Sequence, residues 1–299
     1  MKNLKNDVDS LVGNAKLTAD QDRRTFIQTT VGVGFAAAVL PVCAQTMIKT
    51  DTVGLSAGAI EIPVKNKDGT VFSMPIYHAQ PEGKKNPPVV IVVSEVFGLH
   101  EHIADLARRF AKLGYLAVAP DLFKRQGDPA KYPTISELID KVVSKVPDDQ
   151  VMGDIDACVA WAKDHGGNIE KLGITGFCWG GRITWLYAAH NPKVKAGAAW
   201  YGRFVGDKTE LNPRNPIDIA ATLTVPVLGL YGEKDTGIPQ DTVQQMRTEL
   251  AKGQSKSEIV VYPNSGHAFN ADYRPSYVKA DAEDGWKRTL EWFKAHGVS

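Results

Sequence analysis

A cysteine framed by glycines gives this chain its clearest chemical signal. The segment 176–181 reads GFCWGG and directly follows the short apolar run 172–175, LGIT. This order predicts a nucleophile elbow: a strand, a sharp turn with Cys178 at its tip, then a helix, with glycines two places before and after where a Cβ would collide. A thiol is more acidic than a hydroxyl, so a carboxylate or an imidazole can generate the attacking anion at neutral pH. The alternative is a glycine-rich turn with a buried structural cysteine.

Two partners for such a nucleophile follow in the order of hydrolase-fold triads, which is nucleophile, acid, histidine. Asp235 comes after the apolar run 225–232, VPVLGLYG, and His267 follows 259–266, IVVYPNSG. Each is expected in a loop at the carboxyl end of a strand, where the sites of open α/β sheets lie. Taken singly, an Asp after a strand is more often a cap and a His in a loop is more often solvated. Three members in fold order predict a catalytic triad.

The elements that must position these residues alternate along the chain. Strands are predicted near 60–64, 72–77, 88–93, 115–119, 171–176, 195–200, 226–231 and 258–262. Helices are predicted near 102–113, 135–145, 149–164, 180–190, 240–252 and 279–295. Such alternation indicates an α/β fold with a mostly parallel, doubly wound sheet and helices on both faces. The two opening strands are expected to form an antiparallel edge.

Five separated motifs resemble those of the dienelactone hydrolase (carboxymethylenebutenolidase) family. They are SEVFG at 94–98, APDLF at 119–123, GFCWGG at 176–181, GEKD at 232–235 and GHAF at 266–269. The resemblance covers nearly all of the chain after its amino-terminal segment. It implies an α/β-hydrolase fold and an enzyme that opens an unsaturated lactone with the elbow cysteine. It also implies a triad of Cys178, Asp235 and His267, with Glu95 in contact with the thiol.

Glu95 can also be argued from the residues themselves. It ends the run 88–94, PVVIVVS, which is apolar enough for a central parallel strand buried on both faces. The carboxylate is therefore expected at the mouth of the site, although an exposed glutamate at a strand end is the alternative. By the resemblance, the thiol of Cys178 stays neutral at rest, and Glu95 deprotonates it only after substrate rearranges the pair.

The loop after Glu95 is expected to supply half of an oxyanion hole. In hydrolase folds one backbone N–H comes from the residue after the nucleophile and another from an early strand-loop, which here gives Trp179 and Val96. His100 and His102 lie two apart in the same loop and suggest a metal. No third ligand at sensible spacing accompanies them, so we expect them to be solvated or to support another side chain, and we expect no metal and no cofactor.

The substrate itself is less well defined. Family members that act on dienelactone hold its carboxylate with arginines, and one of these lies four places after the histidine. The equivalent position is Ala271 here. Arg125 and Arg274 are nearby candidates for a substrate anchor, and either could be an ordinary surface arginine.

The amino end predicts export. Arg23 and Arg24 precede Thr-Phe-Ile and a mildly apolar run at 28–40, which is typical of a twin-arginine signal and short for a membrane span of about 20 residues. Cleavage after Ala44 would leave a periplasmic protein that meets the twin-arginine export machinery only transiently. An uncleaved anchor, or a lipid on Cys43, is the alternative.

Charge and cysteine content exclude several partners. Residues 1–44 hold five of the 35 basic and four of the 34 acidic side chains, so the remainder, 45–299, is formally neutral. The sequence has no basic face that would indicate nucleic-acid binding. It also has no polybasic tract that would indicate binding to a membrane surface. The length of the segment 45–299 suits one domain, which we expect to be monomeric.

The two cysteines of this segment are expected to be free thiols. Cys158 lies nine residues into a helix that descends from the catalytic face, which is too far from Cys178 for a disulfide.

These observations predict a Cys-dependent hydrolase that opens lactones or activated carboxylic esters through an acyl-enzyme on Cys178. The alternative is a non-catalytic protein of the same fold that binds a small acid, or whose Cys178 senses redox state.

Overall fold

One twisted sheet organises the chain. The computed structural model describes residues 46–299, and in this part an eight-stranded sheet has the order β1-β2-β4-β3-β5-β6-β7-β8. Its strands are β1 Leu55–Lys65, β2 Val71–Pro81, β3 Pro88–Val93, β4 Leu116–Pro120, β5 Asn168–Phe177, β6 Val194–Trp200, β7 Val227–Gly232 and β8 Glu258–Tyr262. The helices are α1 Glu101–Lys112, α2 Ile135–Lys141, α3 Asp148–Asp164, α4 Trp179–His190, α5 Pro216–Ile219, α6 Gln240–Leu250 and α7 Lys279–Ala295.

The burial pattern explains the topology. Every residue of β3, β4 and β7 is buried, as expected for parallel strands that helices cover on both faces. In contrast, β1 and the first half of β2 alternate between exposed and covered positions, since this antiparallel edge has one face toward water. β2 also pairs antiparallel with β4, and the remaining pairings are parallel. The predicted α/β-hydrolase architecture, including its antiparallel opening edge, is confirmed.

Most element boundaries differ from the prediction by three residues or fewer, and three differences are larger. β1 and β2 are longer than expected because they pair continuously from Leu55 to Lys65. The helix predicted over 135–145 ends at Lys141 and is followed by a 3-10 turn, Val143–Lys145. The extended residue before Pro147 then prevents any continuation, as expected next to a proline. The short helix α5 was missed, although its Asn-Pro start and capping box are sequence signals.

Both cysteines of the described part are free, as predicted. Cys158 lies on α3 with no exposed surface, and burial raises the pKa of its thiol well above the usual value. Among residues 46–299 no helix has the length and apolarity needed to cross a membrane. The predicted export signal at 1–44 lies outside the described residues.

Candidate active site

Cys178 stands on a strained turn between β5 and α4. Its φ of 54° and ψ of −117° are unusual for a residue with a side chain, and its N–H donates to the Trp200 carbonyl at 3.0 Å. Close packing keeps the turn this tight. A Cβ on Gly176 would overlap the Gly180 carbonyl, and a Cβ on Gly180 would overlap the carbonyls at the end of β3. The elbow therefore needs both glycines, as the sequence indicated.

Strand register places Glu95 beside the elbow. Gly176 of β5 pairs with Val93 of the neighbouring parallel strand β3, and Cys178 and Glu95 each follow their paired residue by two positions. Adjacent strands lie about 4.8 Å apart, so the two side chains leave the sheet at the same edge. Glu95 is 1% exposed, and the alternative of a solvated strand-end glutamate is therefore wrong.

Asp235 and His267 meet at this same edge. The loops after β7 and β8 are joined by the Lys234 N–H, which donates to the Ser265 carbonyl at 2.9 Å. This contact brings Asp235 Oδ2 to 2.7 Å from His267 Nδ1, which donates to it. The other carboxylate oxygen of Asp235 accepts the Gly237 N–H at 2.9 Å. With both oxygens occupied, Asp235 is fixed in place and can orient the imidazole.

The charge state of His267 follows from its surroundings. Burial alone would lower the pKa of its imidazole, but the charges of Asp235 and of a Cys178 thiolate, together with hydrogen bonds to both, raise the pKa to about 10. Nδ1 is held by Asp235, so Nε2 is the nitrogen left for Cys178. The ring is buried against Tyr201, with ring centroids 5.2 Å apart. Beside a Cys178 thiolate, His267 therefore holds a proton that it can give to a leaving group.

Glu95 has a histidine partner of its own. His100 Nε2 donates to Glu95 Oε2 at 3.2 Å, and both side chains are buried. His102 lies beside Asp272, with Nδ1 3.3 Å from Oδ1. The two histidines are thus enclosed rather than solvated, and His100 supports a carboxylate. Within residues 46–299 no three metal-ligating side chains gather into a candidate metal site.

The two expected oxyanion donors belong to the elbow and to the loop after β3. Trp179 is the first residue of α4, so its N–H has no carbonyl one turn back to bond with. Val96 follows Glu95 in the loop between β3 and α1 and is 4% exposed. The helix amino terminus adds a partial positive charge at the same place. These positions suit the stabilisation of an oxyanion on a carbonyl attacked by Cys178.

The structure separates the two candidate anchors. Arg274 is buried, with its guanidinium carbon 5.8 Å from the centre of the Phe97 ring, in the loop that carries Glu95. Burial and the charges of Glu95 and Cys178 raise the pKa values of Tyr201 and Tyr273 well above their usual range, and the charge of Arg274 partly opposes this rise. Arg274 therefore belongs to the site of these groups.

Arg125 occupies different surroundings. It forms an ion pair with Asp154 on α3 and lies 4.1 Å above the Phe72 ring of β2. It lines a cavity of about 480 Å³ beside the β1–β2 hairpin. None of these contacts is with the residues around Cys178, so the structure does not bring Arg125 to the site.

Two tyrosines of the site, Tyr201 and Tyr273, were not predicted from the sequence. Tyr201 follows β6 directly, with φ 39°, no exposed surface, and a hydroxyl that has no hydrogen-bond partner in the described structure. Tyr273 packs edge-on against His100, with ring centroids 5.3 Å apart. The position of Tyr201 at a strand end, two strands from β3, was a usable signal. No pattern in the sequence indicated Tyr273.

Comparison with known proteins places this geometry in a family context. The profile of the dienelactone hydrolase family matches residues 74–297. A protein of Methylorubrum extorquens assigned as a carboxymethylenebutenolidase is 55% identical over 278 residues, which are 93% of this chain and 94% of that protein. A crystal structure from Klebsiella pneumoniae, assigned as a dienelactone hydrolase, has a TM-score of 0.76 at 55% identity and covers 80% of this chain and 99% of its own.

A more distant relative is assigned to a named lactone. A Bradyrhizobium protein assigned as a 2-oxo-3-(5-oxofuran-2-ylidene)propanoate lactonase is 31% identical over 224 residues. The match covers 74% of this chain and 88% of that protein.

Proposed function

The chain belongs to the dienelactone hydrolase family and is a hydrolase of ester or lactone bonds, and from that premise we propose that it acts through an acyl-enzyme on Cys178. One observation carries the proposal: the strained Cys178 and the hydrogen-bonded Asp235–His267 pair meet at one edge of the sheet. A non-catalytic binding or redox-sensing role is not favoured, because relatives at high identity are assigned as enzymes.

The thiol needs a base, and His267 is poorly suited to be that base. The charge of Asp235 favours a proton on this imidazole, and an imidazole that holds a proton cannot accept one from Cys178. Glu95 is the other candidate. Burial would raise the pKa of its carboxyl, but the hydrogen bond from His100 and the charges of His100 and His102 lower the pKa below its usual value. Glu95 is therefore ionised, and its Oε1 has no hydrogen-bond partner in the described structure.

Acylation then proceeds with the following transfers. The thiol proton of Cys178 moves to Glu95 Oε1, and the sulfur forms a bond to the carbonyl carbon of the substrate. The carbonyl electron pair moves to oxygen, where the N–H groups of Val96 and Trp179 stabilise it. As the tetrahedral intermediate collapses, the bond between carbon and the ring or ester oxygen breaks. The leaving oxygen takes the proton from His267 Nε2.

Deacylation reverses the roles. The imidazole of His267 is now neutral, and the thioester carries no charge beside it, so it can take a proton from a water that attacks the thioester carbonyl. The bond between carbon and sulfur breaks, and the sulfur recovers its proton from Glu95. The net reaction consumes one water and yields a hydroxy acid from a lactone, or an acid and an alcohol from an ester.

The surroundings of the site favour an acidic substrate. The buried guanidinium of Arg274 lies over the ring of Phe97. Phe97 directly follows the proposed oxyanion donor Val96 in the sequence. A guanidinium is suited to bind a carboxylate through paired hydrogen bonds. The Bradyrhizobium relative is assigned to a lactone that carries a propanoate group. We therefore place Arg274, rather than Arg125, as the anchor of a substrate carboxylate.

Turnover with detection of the intermediate tests the proposal. The purified protein is assayed against p-nitrophenyl acetate and a panel of acidic and neutral lactones, with Cys178→Ala as the control. We expect turnover by the native protein, and a mass increase of one acyl group located on Cys178 after rapid quenching. Turnover by Cys178→Ala at the native rate, or an acyl group on another residue, would remove Cys178 from the mechanism.

We also propose that the enzyme works in the periplasm. The support is the Arg23-Arg24 pair before a mildly apolar segment, at the position of a twin-arginine signal. Expression of the full chain with Arg23→Lys and Arg24→Lys together, beside the native chain, tests this by cell fractionation. Native protein in the periplasm and retention of the double variant in the cytoplasm are expected. Equal distribution of the two would reject this route.

A further inference from the structure

The buried pair Glu95–His100 is asymmetric. Glu95 Oε2 accepts a hydrogen bond from His100 Nε2 at 3.2 Å, whereas Oε1 is buried and has no hydrogen-bond partner in the described structure. A buried carboxylate ordinarily fills its acceptor positions, because an unsatisfied charged group is costly. The free oxygen lies on a residue that leaves the sheet beside Cys178. It is therefore available for one new proton or hydrogen bond.

Local structure fixes the position of His100. The chain turns tightly after Glu95, where the Gly98 N–H donates to the Glu95 carbonyl at 3.1 Å, and His100 is the N-cap residue immediately before α1. The imidazole is fully buried, stacked on His102 with centroids 6.1 Å apart and edge-on to Tyr273. The ring is thus packed on two sides, and its Nε2 faces Glu95.

Several groups set the electrostatics of this pair. The titratable and charged groups around it are His102 from α1, Tyr201 after β6, Tyr273 and Arg274 from the loop after β8, and Cys178 at the elbow. Asp272 faces His102 and is paired in turn with Arg109, so a negative charge balances the second histidine. Of the groups that favour the ionised carboxylate, His100 makes the largest contribution.

We propose that His100 is a positioning residue for the reaction: it holds Oε2 of Glu95 and keeps the carboxylate ionised, so that Oε1 alone is presented to the proton of Cys178. This inference rests on the proposed acyl-enzyme mechanism. It adds that the base of the reaction depends on a histidine outside the triad. No covalent step is added, since the proton moves from sulfur to Oε1 as already described.

The test compares pH–rate profiles of variants. His100→Gln keeps an N–H donor and removes the charge, and His190→Gln is the matched control because His190 pairs with Asp156 at an exposed position. Without the charge, burial raises the pKa of Glu95, so the acid limb of kcat/KM should move upward by about 1–3 pH units. Activity lost near pH 5 should return as the pH rises. His190→Gln should coincide with the native profile.

A second readout reports on the thiol without any ester substrate. The rate at which iodoacetamide alkylates Cys178 should fall below the native rate at acidic pH in His100→Gln and recover at higher pH. If His100→Gln does not fold, as judged by circular dichroism, His100→Asn is used in its place. An acid limb that stays where it is, with a rate lowered uniformly at every pH, would make His100 a structural residue and overturn the inference.

The double variant separates the two proposals. In Glu95→Gln, addition of His100→Gln should shift nothing further, because the group whose ionisation His100 controls is already absent. If Cys178→Ala retains native turnover, the acyl-enzyme mechanism itself is wrong. If Cys178→Ala is inactive and Glu95→Gln is impaired while His100→Gln has the native profile, only the role of His100 is wrong.

Discussion

Two buried carboxylate–histidine pairs flank Cys178, and they differ in whether the carboxylate has an oxygen without a hydrogen-bond partner. In the Asp235–His267 pair both carboxylate oxygens are occupied, one by the imidazole at 2.7 Å and the other by the Gly237 N–H at 2.9 Å. In the Glu95–His100 pair the contact is 3.2 Å and the second oxygen has no partner in the described structure.

The difference assigns different tasks to chemically similar pairs. A carboxylate with its acceptors filled orients its histidine and stabilises the positive ring, while the imidazole does the proton transfer. A carboxylate with one oxygen open can itself take a proton, and its histidine becomes the supporting group. The free acceptor positions, more than the residue types, indicate which member of each pair transfers protons.

Replacing the group on which both pairs act should have the largest effect. Cys178→Ser keeps the geometry, but a serine hydroxyl is far less acidic than a thiol of pKa about 8.5. Neither Glu95 nor His267 is basic enough to ionise such a hydroxyl, so kcat should fall by at least about 10⁴-fold. The measurement is kcat on a lactone and on p-nitrophenyl acetate. Activity near the native level would mean that neither pair is tuned to a thiol.

Asp235→Asn should disable the pair with the occupied carboxylate. The amide removes the negative charge that raises the pKa of His267 and favours a different orientation of the ring, so kcat should fall by about 10²–10⁴-fold. An NMR titration of the variant should also show a lower pKa for the imidazole of His267. A normal titration together with native kcat would show that the orienting task lies elsewhere.

Glu95→Gln should disable the other pair with a distinct signature. The shape of the side chain is kept and the proton acceptor is lost, so kcat near pH 7 should fall by about 10²-fold. Partial rescue is expected at high pH, where the thiol ionises unaided. Asp235→Asn should show no such rescue. Matching pH–rate profiles for the two variants would erase the proposed division of tasks.

Arg274→Ala should have the smallest and most selective effect. If Arg274 binds a substrate carboxylate, KM for acidic lactones should rise by about 10- to 100-fold, because a charge-assisted contact is worth about 1.5–3 kcal/mol. Neutral esters should be nearly unaffected. Arg125→Ala is the matched control and should leave both KM values unchanged. Equal losses on acidic and neutral substrates would assign Arg274 to support of its loop, and no loss would indicate uncharged substrates.

The strand pattern was predictable because the signals are local. Apolar runs bounded by glycine and proline located all eight strands to within a few residues, and β3, β8 and α7 had the predicted bounds. The longer β1 and β2 could not be read from their own residues, since their ends are fixed by pairing with each other. The strand propensity of the individual residues does not predict such an extension.

The site was predictable only in part. Cys178, Asp235 and His267 follow strands, and parallel strands end at one edge of the sheet, so the sequence was sufficient to nominate them together. It did not distinguish Arg274 from Arg125, because each lies in a loop whose path depends on what it packs against. Nor did it reveal Tyr201 or the pairing of His100 with Glu95.

The sequence by itself determined the elbow, the chain order of the candidate triad and the fold, since glycine spacing and strand-end positions express local steric needs. The tertiary structure alone decided which oxygen of Glu95 stays open and which arginine stands over Phe97. Those outcomes depend on distances between side chains from separate loops, and such distances are set by how the loops pack on the finished sheet.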